Sequence, residues 1–506
     1  MRKRGFLMVL ATVLLLGANL NALACTNFIV SKGASADGST MITYAADSHV
    51  LYGELYFRPA ADYAEGTMLD IYEWDTGKFL GEIPQARHTY SVVGNMNEYQ
   101  LAIGETTYGG RSELRDTTGI MDYGSLIYTT LQRARTAREA IKTMVELTNT
   151  YGYYSTGESF SIADPNEVWI MEIIGKGPGN TGIVWVARQI PDGYISGHAN
   201  HARITTFPFQ KENNFNDPNQ TTYHSPDVID FAREQGYFDG KDKDFSFSDV
   251  YAPLDFGGAR FCEARVFAGF NAVNSDMDQY LDYAMGNDMS NRMPLWIKPD
   301  KKLGARDVMN MMRDYYQNTP MDMTKDVGAG PYGNMVRFRP LYWEVEDDTY
   351  FNERAISTQQ TGFSFVAQMR SWLPDPVGGI LWFGVDDTYF TTYTPMYCGI
   401  TDVPHAFAVG NGDLMNYSED AAFWVTNQVS NLAYSRFNLM IDDIQEVQDE
   451  LENGFIMASE GIDQAAAKMY KENPEQARAF LTNYSQTQGQ NVLRAYQNLY
   501  KHLFVK

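Results

Sequence analysis

Two short blocks near the start of the chain, CTNFIV (25–30) and TMITYA (40–45), are rich in β-branched, aromatic and other apolar residues, with the polar SKGASADGS and its two glycines between them. Two β-type runs around a glycine-bearing polar turn predict a β-hairpin whose first strand begins at Cys25. Further short runs of this kind between Phe57 and Val93, and YSVVGNMNEYQLAIGETTYGG with a turn at Asn95 to Glu98, continue the β pattern. The period then changes. Over Asp122 to Asn149, Ile127, Leu131, Ala134, Ile141, Val145 and Thr148 recur at three-to-four spacing, with Arg133, Arg135, Arg138 and Lys142 elsewhere. This predicts one amphipathic helix, ended by Gly152. From Ser159 to Ile204, β-type runs return, three of them set apart by Asp164-Pro165-Asn166 and by GKGPGN.

Residues 210–330 are polar, aromatic and loop-rich, with a helix expected at Ala305 to Tyr316, and β patterning resumes over Thr349 to Tyr397. From Phe423 onward Val425, Val429, Leu432, Met440, Ile444, Val447 and Leu451 mark one helical stripe, and Asn473-Pro474 has the form of a cap followed by a first helical residue. Strands, helix, strands and then helices predict a layered α+β arrangement rather than alternating βαβ units. No boundary is visible before about residue 420, so the division expected is a main unit over 25–420 and a helical region over 421–506 packed on it.

The first 24 residues have a different character. Arg2, Lys3 and Arg4 precede an apolar run from Phe6 to Leu16, and Ala22-Leu23-Ala24 is a small-x-small cleavage site, so the segment reads as a signal peptide removed before Cys25. The expected location is periplasmic or extracellular. No later stretch approaches the ~18 uninterrupted apolar residues of a membrane span. Cleavage takes away three basic residues and no acidic one, leaving 37 basic against 63 acidic side chains, a net charge of −26. Such a surface repels phosphate backbones and anionic lipid, which argues against nucleic-acid partners. Only three cysteines occur, Cys25, Cys262 and Cys398, too few for a disulfide scaffold. If Cys262 and Cys398 pair, Cys25 is left over, and an odd cysteine in an exported chain points to reactivity or attachment.

A cysteine that becomes an N-terminus holds nucleophile and base in one residue. Its thiol attacks a carbonyl while its own α-amine, with an ordinary pKa of roughly 7.7–8.0, takes up and returns the proton. CTNFIVSKGASADGS followed by AAD resembles the opening of the dipeptidase family of N-terminal-nucleophile (Ntn) cysteine hydrolases, which includes dipeptidase A and the secernins and has penicillin V acylase and the bile salt hydrolases as distant relatives. GNMNEYQLAIGETT, RARTAREAI, FSIADPNEVWIMEI, WVARQIPDGYISGHANHARI, GGILWFGVDDTYFTTYTPMYCGI and FWVTNQVSNLAY extend the likeness over most of residues 25–440.

The resemblance implies a four-layer αββα sandwich with additional C-terminal helices, hydrolysis of dipeptides or other short peptides through an acyl-enzyme, and no metal or cofactor. It leaves a homo-oligomer open. It also implies roles: Cys25 as nucleophile with its α-amine as base, Asp47 as the acid that orients it, and Asn97 and Asn200 as oxyanion-hole and substrate-amide contacts. Arg265 in ARFCEARVF is the arginine beside the cysteine, with Arg203 behind it. The family's usual Asn before the acid is Ala46 here. A neutral amide suits an oxyanion hole because it donates without changing protonation state.

Each residue also has a plainer reading. Asp after a strand and Asn in a turn commonly serve local backbone. His198 and His201 lack a third ligand at zinc-like spacing, and DGKDKD (239–244) lacks the mid-loop glycine and final glutamate of a calcium loop. A papain-type pairing of the thiol with a histidine conflicts with a cysteine that opens a strand. Two alternatives stay open. One is an Ntn amidase or acylase of non-peptide amides. The other is a lipoprotein tethered through Cys25 that serves as a binding module; against it, Ala22 stands where a lipoprotein signal usually has leucine.

Overall fold

The computed structural model describes residues 25–337 and 342–506; the segment 1–24 read as a signal peptide lies outside them. The predicted hairpin is present, with Asn27–Val30 and Thr40–Asp47 paired antiparallel through Ile29↔Ile42 and Val30↔Met41. Thr40–Asp47 is also paired along its whole length with Thr361–Met369, from Thr361↔Asp47 to Met369↔Thr40. A strand more than 300 residues away in sequence is thereby laid beside the hairpin.

These strands belong to a seven-stranded sheet ordered Trp296–Ile297, Ile195–His198, Asn27–Val30, Thr40–Asp47, Thr361–Met369, Gly379–Val385, Thr394–Tyr397. An eight-stranded sheet is centred on Ala102–Gly109, Gly157–Ala163, Val168–Gly175 and Ile183–Gln189. The region expected to give three β-type runs gives four strands, because the chain leaves the eight-stranded sheet after Gln189 and Ile195–His198 joins the other sheet beside Asn27–Val30. That crossing carries the HANH stretch to the end of the strand that follows Cys25.

The sheets meet closely. A Cβ on Gly104 would lie 2.7 Å from the end of the Asn27 side-chain amide, 3.2 Å from Thr43 O and 3.3 Å from Tyr44 Cβ, so glycine is what lets the sheets approach there. With its amide oriented to satisfy both atoms, Asn27 accepts from the Glu105 N–H at 3.0 Å and donates to the Glu105 carbonyl at 3.1 Å. His198 bridges the sheets through both ring nitrogens, to Thr106 Oγ1 and Ser161 Oγ, each at 2.7 Å. Burial drives its pKa down to about 3, so the bridge is a neutral imidazole.

The single helix expected over 122–149 is two helices, Tyr123–Leu131 and Ala137–Tyr151. The apolar period continues across the gap, but the Asn97 amide donates to Leu131 O and Ala134 O at 2.8 Å each and ends the first helix. The Thr136 hydroxyl then accepts from the Glu139 N–H and caps the second. Leu126, Ile127, Ala140, Ile141 and Met144 pack with Phe160, Ile162, Trp169 and Met171 of the eight-stranded sheet.

The C-terminal stripe is likewise divided into Ala422–Ser435, Phe437–Glu472 and Pro474–Val505. The first break is Arg436, whose φ of −147° and ψ of 51° are not helical. The second is Asn473, whose side chain accepts from the Gln476 N–H at 3.2 Å, as the Asn-Pro pair predicts. The helix expected at Ala305–Tyr316 stops at Met311, and Tyr316 takes a left-handed φ of 67°. Buried ion pairs fasten the terminal helices to the sheet. Glu452 accepts from Arg313 Nη2 at 2.6 Å and from the Tyr393 N–H at 2.8 Å, and Asp463 accepts from Arg370 and from the Tyr397 hydroxyl. Cys262 and Cys398 are free thiols, and the Cys398 thiol points to the Asp375 carbonyl. Among the described residues no helix is long and apolar enough to cross a membrane.

Candidate active site

Because Asn27–Val30 and Thr40–Asp47 run antiparallel, the start of the first lies beside the end of the second. Thr26 exchanges backbone hydrogen bonds with Ala45, at 3.0 and 3.3 Å. Cys25 and Asp47 therefore share one end of the sheet, and both are buried, Cys25 at 3 % exposure. Asp47 accepts from Arg354 Nη2 at 2.7 Å and from Thr361 Oγ1 at 2.6 Å. Burial raises its pKa, and the Arg354 guanidinium pulls the other way. Burial also raises the Cys25 thiol well above the ordinary range, and the charges of Glu105 and Asp47 add to this, while the Asp47 backbone N–H and the Tyr44 hydroxyl oppose it. A thiol so placed stays protonated until a base or a compensating positive charge arrives.

Arg265 closes the other side. It lies in the helix Ala264–Asn271, is 1 % exposed, and spreads its guanidinium over main-chain and neutral side-chain acceptors. It donates to Cys25 O at 2.6 Å, Thr26 Oγ1 at 2.9 Å, Asn200 Oδ1 at 3.0 Å, Ala199 O at 3.3 Å and Phe261 O at 2.6 Å. Asn200 sits at a left-handed φ of 57°, a conformation asparagine tolerates better than most residues, and its Nδ2 donates to Thr107 O at 2.7 Å. Arg203, further back, is a structural clamp: it pairs with buried Glu263 at 2.9 Å and binds the carbonyls of Gly197, Pro294 and Leu295.

The structure thus gathers Cys25, Asp47, Asn200 and Arg265, and leaves Asn97 outside. Its NH2 is spent on Leu131 O and Ala134 O, and its oxygen accepts from the N–H groups of Tyr99 and Leu101. Those four bonds saturate the amide, so it organises the helix break and has no donor for an oxyanion. His198 is taken up as the inter-sheet bridge, and His201 Nδ1 faces Ala202 O. Among the described residues no group of His, Cys, Asp and Glu side chains has a metal-binding arrangement.

Set against known proteins, residues 53–450 match peptidase family C69. The chain belongs to peptidase family C69. It is similar to a probable dipeptidase of Latilactobacillus sakei, 25 % identical over 403 residues that cover 76 % of each chain. It also resembles probable dipeptidase B of Lactococcus lactis subsp. lactis, 22 % identical over 94 % of this chain and 96 % of that one. Dipeptidase A of Lactobacillus helveticus is 22 % identical over 85 % of this chain and 84 % of its own.

Five site residues of this C69 chain escape a reading of the sequence: Tyr44, Glu105, Glu158, Arg354 and Thr361. Tyr44 and Glu105 lie in strands whose alternation looks like any half-exposed β run, yet both are buried. The Cys25 thiol lies 3.8 Å from the Tyr44 hydroxyl and 3.7 Å from Glu105 Oε1, and the Tyr44 hydroxyl donates to the same Glu105 oxygen. Beyond Thr361 a cavity of about 150 Å³ is lined by Ser48, His49, Asp386, Phe423, Trp424 and Asn427 among others.

Burial carries Glu105, Glu172, Asp314 and Asp386 each up to about 7. In the unfolded chain such groups titrate near ~4. Between those values the folded C69 chain holds protons that the unfolded chain has released, so stability falls as pH rises through the interval. Thermal unfolding is expected to have a higher midpoint at pH 5 than at pH 7.5. A midpoint that climbs over this interval contradicts the assignment.

Proposed function

We propose that this peptidase is an exported dipeptidase of the Ntn type, acting once residues 1–24 are removed and Cys25 is the first residue. The observation that carries the reading is the convergence of Asp47, Asn200 and Arg265 on a buried cysteine at the predicted cleavage point. The dipeptidase names of the relatives support the substrate class. Two facing antiparallel sheets with helices against the outer face of one and against the strands of the other support an αββα sandwich.

The Cys25 α-amine takes the thiol proton, and the thiolate attacks the carbonyl carbon of the peptide bond. Asn200, fixed by Arg265 and Thr107, is the amide that serves the oxyanion. The ammonium returns its proton to the nitrogen of the leaving amine, which departs and leaves a thioester. Water, deprotonated by the same amine, then attacks the thioester; the acyl group departs as a carboxylic acid and the thiol is restored. Arg265 holds the Cys25 carbonyl in place throughout, and the Asp47 backbone N–H faces the thiol.

The test is the mass of the N-terminal peptide of protein made in its native host, combined with a dipeptide panel. An unmodified N-terminus at Cys25 with dipeptide hydrolysis supports the reading. A diacylglyceryl-cysteine removes both catalytic groups and leaves a tethered binding protein; a free Cys25 with turnover only of non-peptide amides makes the protein an acylase.

A further inference from the structure

Four buried carboxylates hold an arginine: Asp47 holds Arg354, Glu263 holds Arg203, Glu452 holds Arg313 and Asp463 holds Arg370. Others, such as Glu172 and Asp386, have both oxygens satisfied by neutral N–H or O–H donors. The pair beside the nucleophile has neither arrangement. Glu105 and Glu158 are 1 % and 0 % exposed, and among the described residues neither forms an ion pair. Their partners are neutral hydroxyls, Tyr44 on Glu105 Oε1 and Thr107 on Glu158 Oε1, while Glu105 Oε2 and Glu158 Oε2 have no donor. Burial raises both carboxyls, and Glu105 in turn raises Glu158 further, so Glu105 is the member that ionises first. A buried carboxylate oxygen without a donor is costly, and a ligand that brings a charged donor to it removes that cost.

We propose that Glu105, backed by Glu158, is the subsite for the free α-ammonium group of the substrate, restricting the enzyme to peptides with an unblocked N-terminus. This deepens the dipeptidase reading and rests on it. In a dipeptide the ammonium is carried by the residue whose carbonyl is attacked, and its nitrogen is ~2.5 Å from that carbonyl carbon by covalent geometry. A carboxylate that receives it must therefore lie within a few ångströms of the nucleophile, and Glu105 Oε1 is 3.7 Å from Cys25 Sγ. Asp75, which accepts from the Tyr123 hydroxyl at 2.8 Å, is a further acid whose charge raises both Glu105 and Glu158.

The same contact couples binding to activation. Burial and, after it, the negative charge of Glu105 hold the thiol in its protonated form. An ammonium group seated on Glu105 cancels that charge and favours the thiolate only when a peptide with a free amine is in place. A blocked or des-amino substrate leaves the thiol unactivated.

The experiment uses the chain beginning at Cys25 and compares kcat/KM for a dipeptide, its N-acetyl derivative and its des-amino analogue. The native enzyme is expected to prefer the free dipeptide at least 100-fold over both. Glu105→Gln, which keeps the shape and an acceptor for Tyr44, should shrink that preference at least tenfold, chiefly by loss on the free dipeptide. Glu105→Asp retains the charge and should retain most of the preference, so it guards against a glutamine variant that folds poorly. Equal turnover of all three substrates by the native enzyme, or a preference unchanged in Glu105→Gln, overturns the subsite and leaves the hydrolase standing. No turnover of any of the three by the native enzyme overturns the dipeptidase reading itself, and this subsite with it.

Discussion

Cys25→Ala is expected to abolish dipeptide hydrolysis, with a loss on the order of 10⁵-fold or more in kcat, while the folded chain keeps its stability. Only one sulfur atom is removed. Its neighbours Tyr44 and Glu105 keep their own hydrogen bond, and the Cys25 carbonyl keeps its bond from Arg265. Nothing is left uncompensated, so the unfolding midpoint should move by no more than about 2–4 °C, the shift that ~1 kcal/mol produces in a chain of this class. Cys25→Ser keeps the α-amine and an attacking oxygen and should retain a small residual rate. The decisive measurement is steady-state hydrolysis by variants whose N-terminal mass confirms a start at residue 25. Undiminished turnover in Cys25→Ala would remove the thiol from the mechanism.

Arg265→Met should be damaging in both respects. The side chain it replaces serves five acceptors, Cys25 O, Thr26 Oγ1, Ala199 O, Asn200 Oδ1 and Phe261 O, and none of these belongs to a carboxylate. A buried acceptor left without a donor costs about 1–3 kcal/mol. Partial relaxation reduces the sum, and a total near ~4 kcal/mol is expected in urea unfolding. Activity should fall by about 10³-fold, because the nucleophile and the Asn200 turn are no longer held to one another. Arg265→Lys restores the charge but offers a single ammonium in place of a planar fork, so it should recover part of the stability and little of kcat. A lysine variant with native kcat would reduce Arg265 to a buried charge with no positioning role.

How much of this was legible in the sequence follows from the range of the interactions. The hairpin at Cys25 depends on two β-type runs and two turn glycines within about 20 residues, and it is found as expected. The breaks at 132–136 and at Arg436 were hidden because the apolar period runs through them; what stops the first helix is Asn97, a side chain from another strand. The same tertiary demand on Asn97 explains why a residue that fits an oxyanion role by motif lies elsewhere. Glu105 in IGETT looks like a solvent-facing acid, and only the placement of Tyr44 and Cys25 against it reveals a buried one. Arg354 and Thr361 meet Asp47 across more than 300 residues, a juxtaposition no local pattern encodes.

The terminal helix Pro474–Val505 has a consequence for solubility. Thr394–Tyr397 is the outermost strand of the seven-stranded sheet, and such a rim offers unpaired N–H and C=O groups to any other chain. Here the helix lies along that strand, Ser485 accepts from the Tyr397 N–H at 3.5 Å, and Tyr496 bonds to Phe390 O and Thr392 Oγ1 just before it. The ion pairs that hold the terminal helices in place are therefore also a guard against edge-to-edge stacking, and loosening them would expose a template for fibrillar association while the reacting groups stayed where they are.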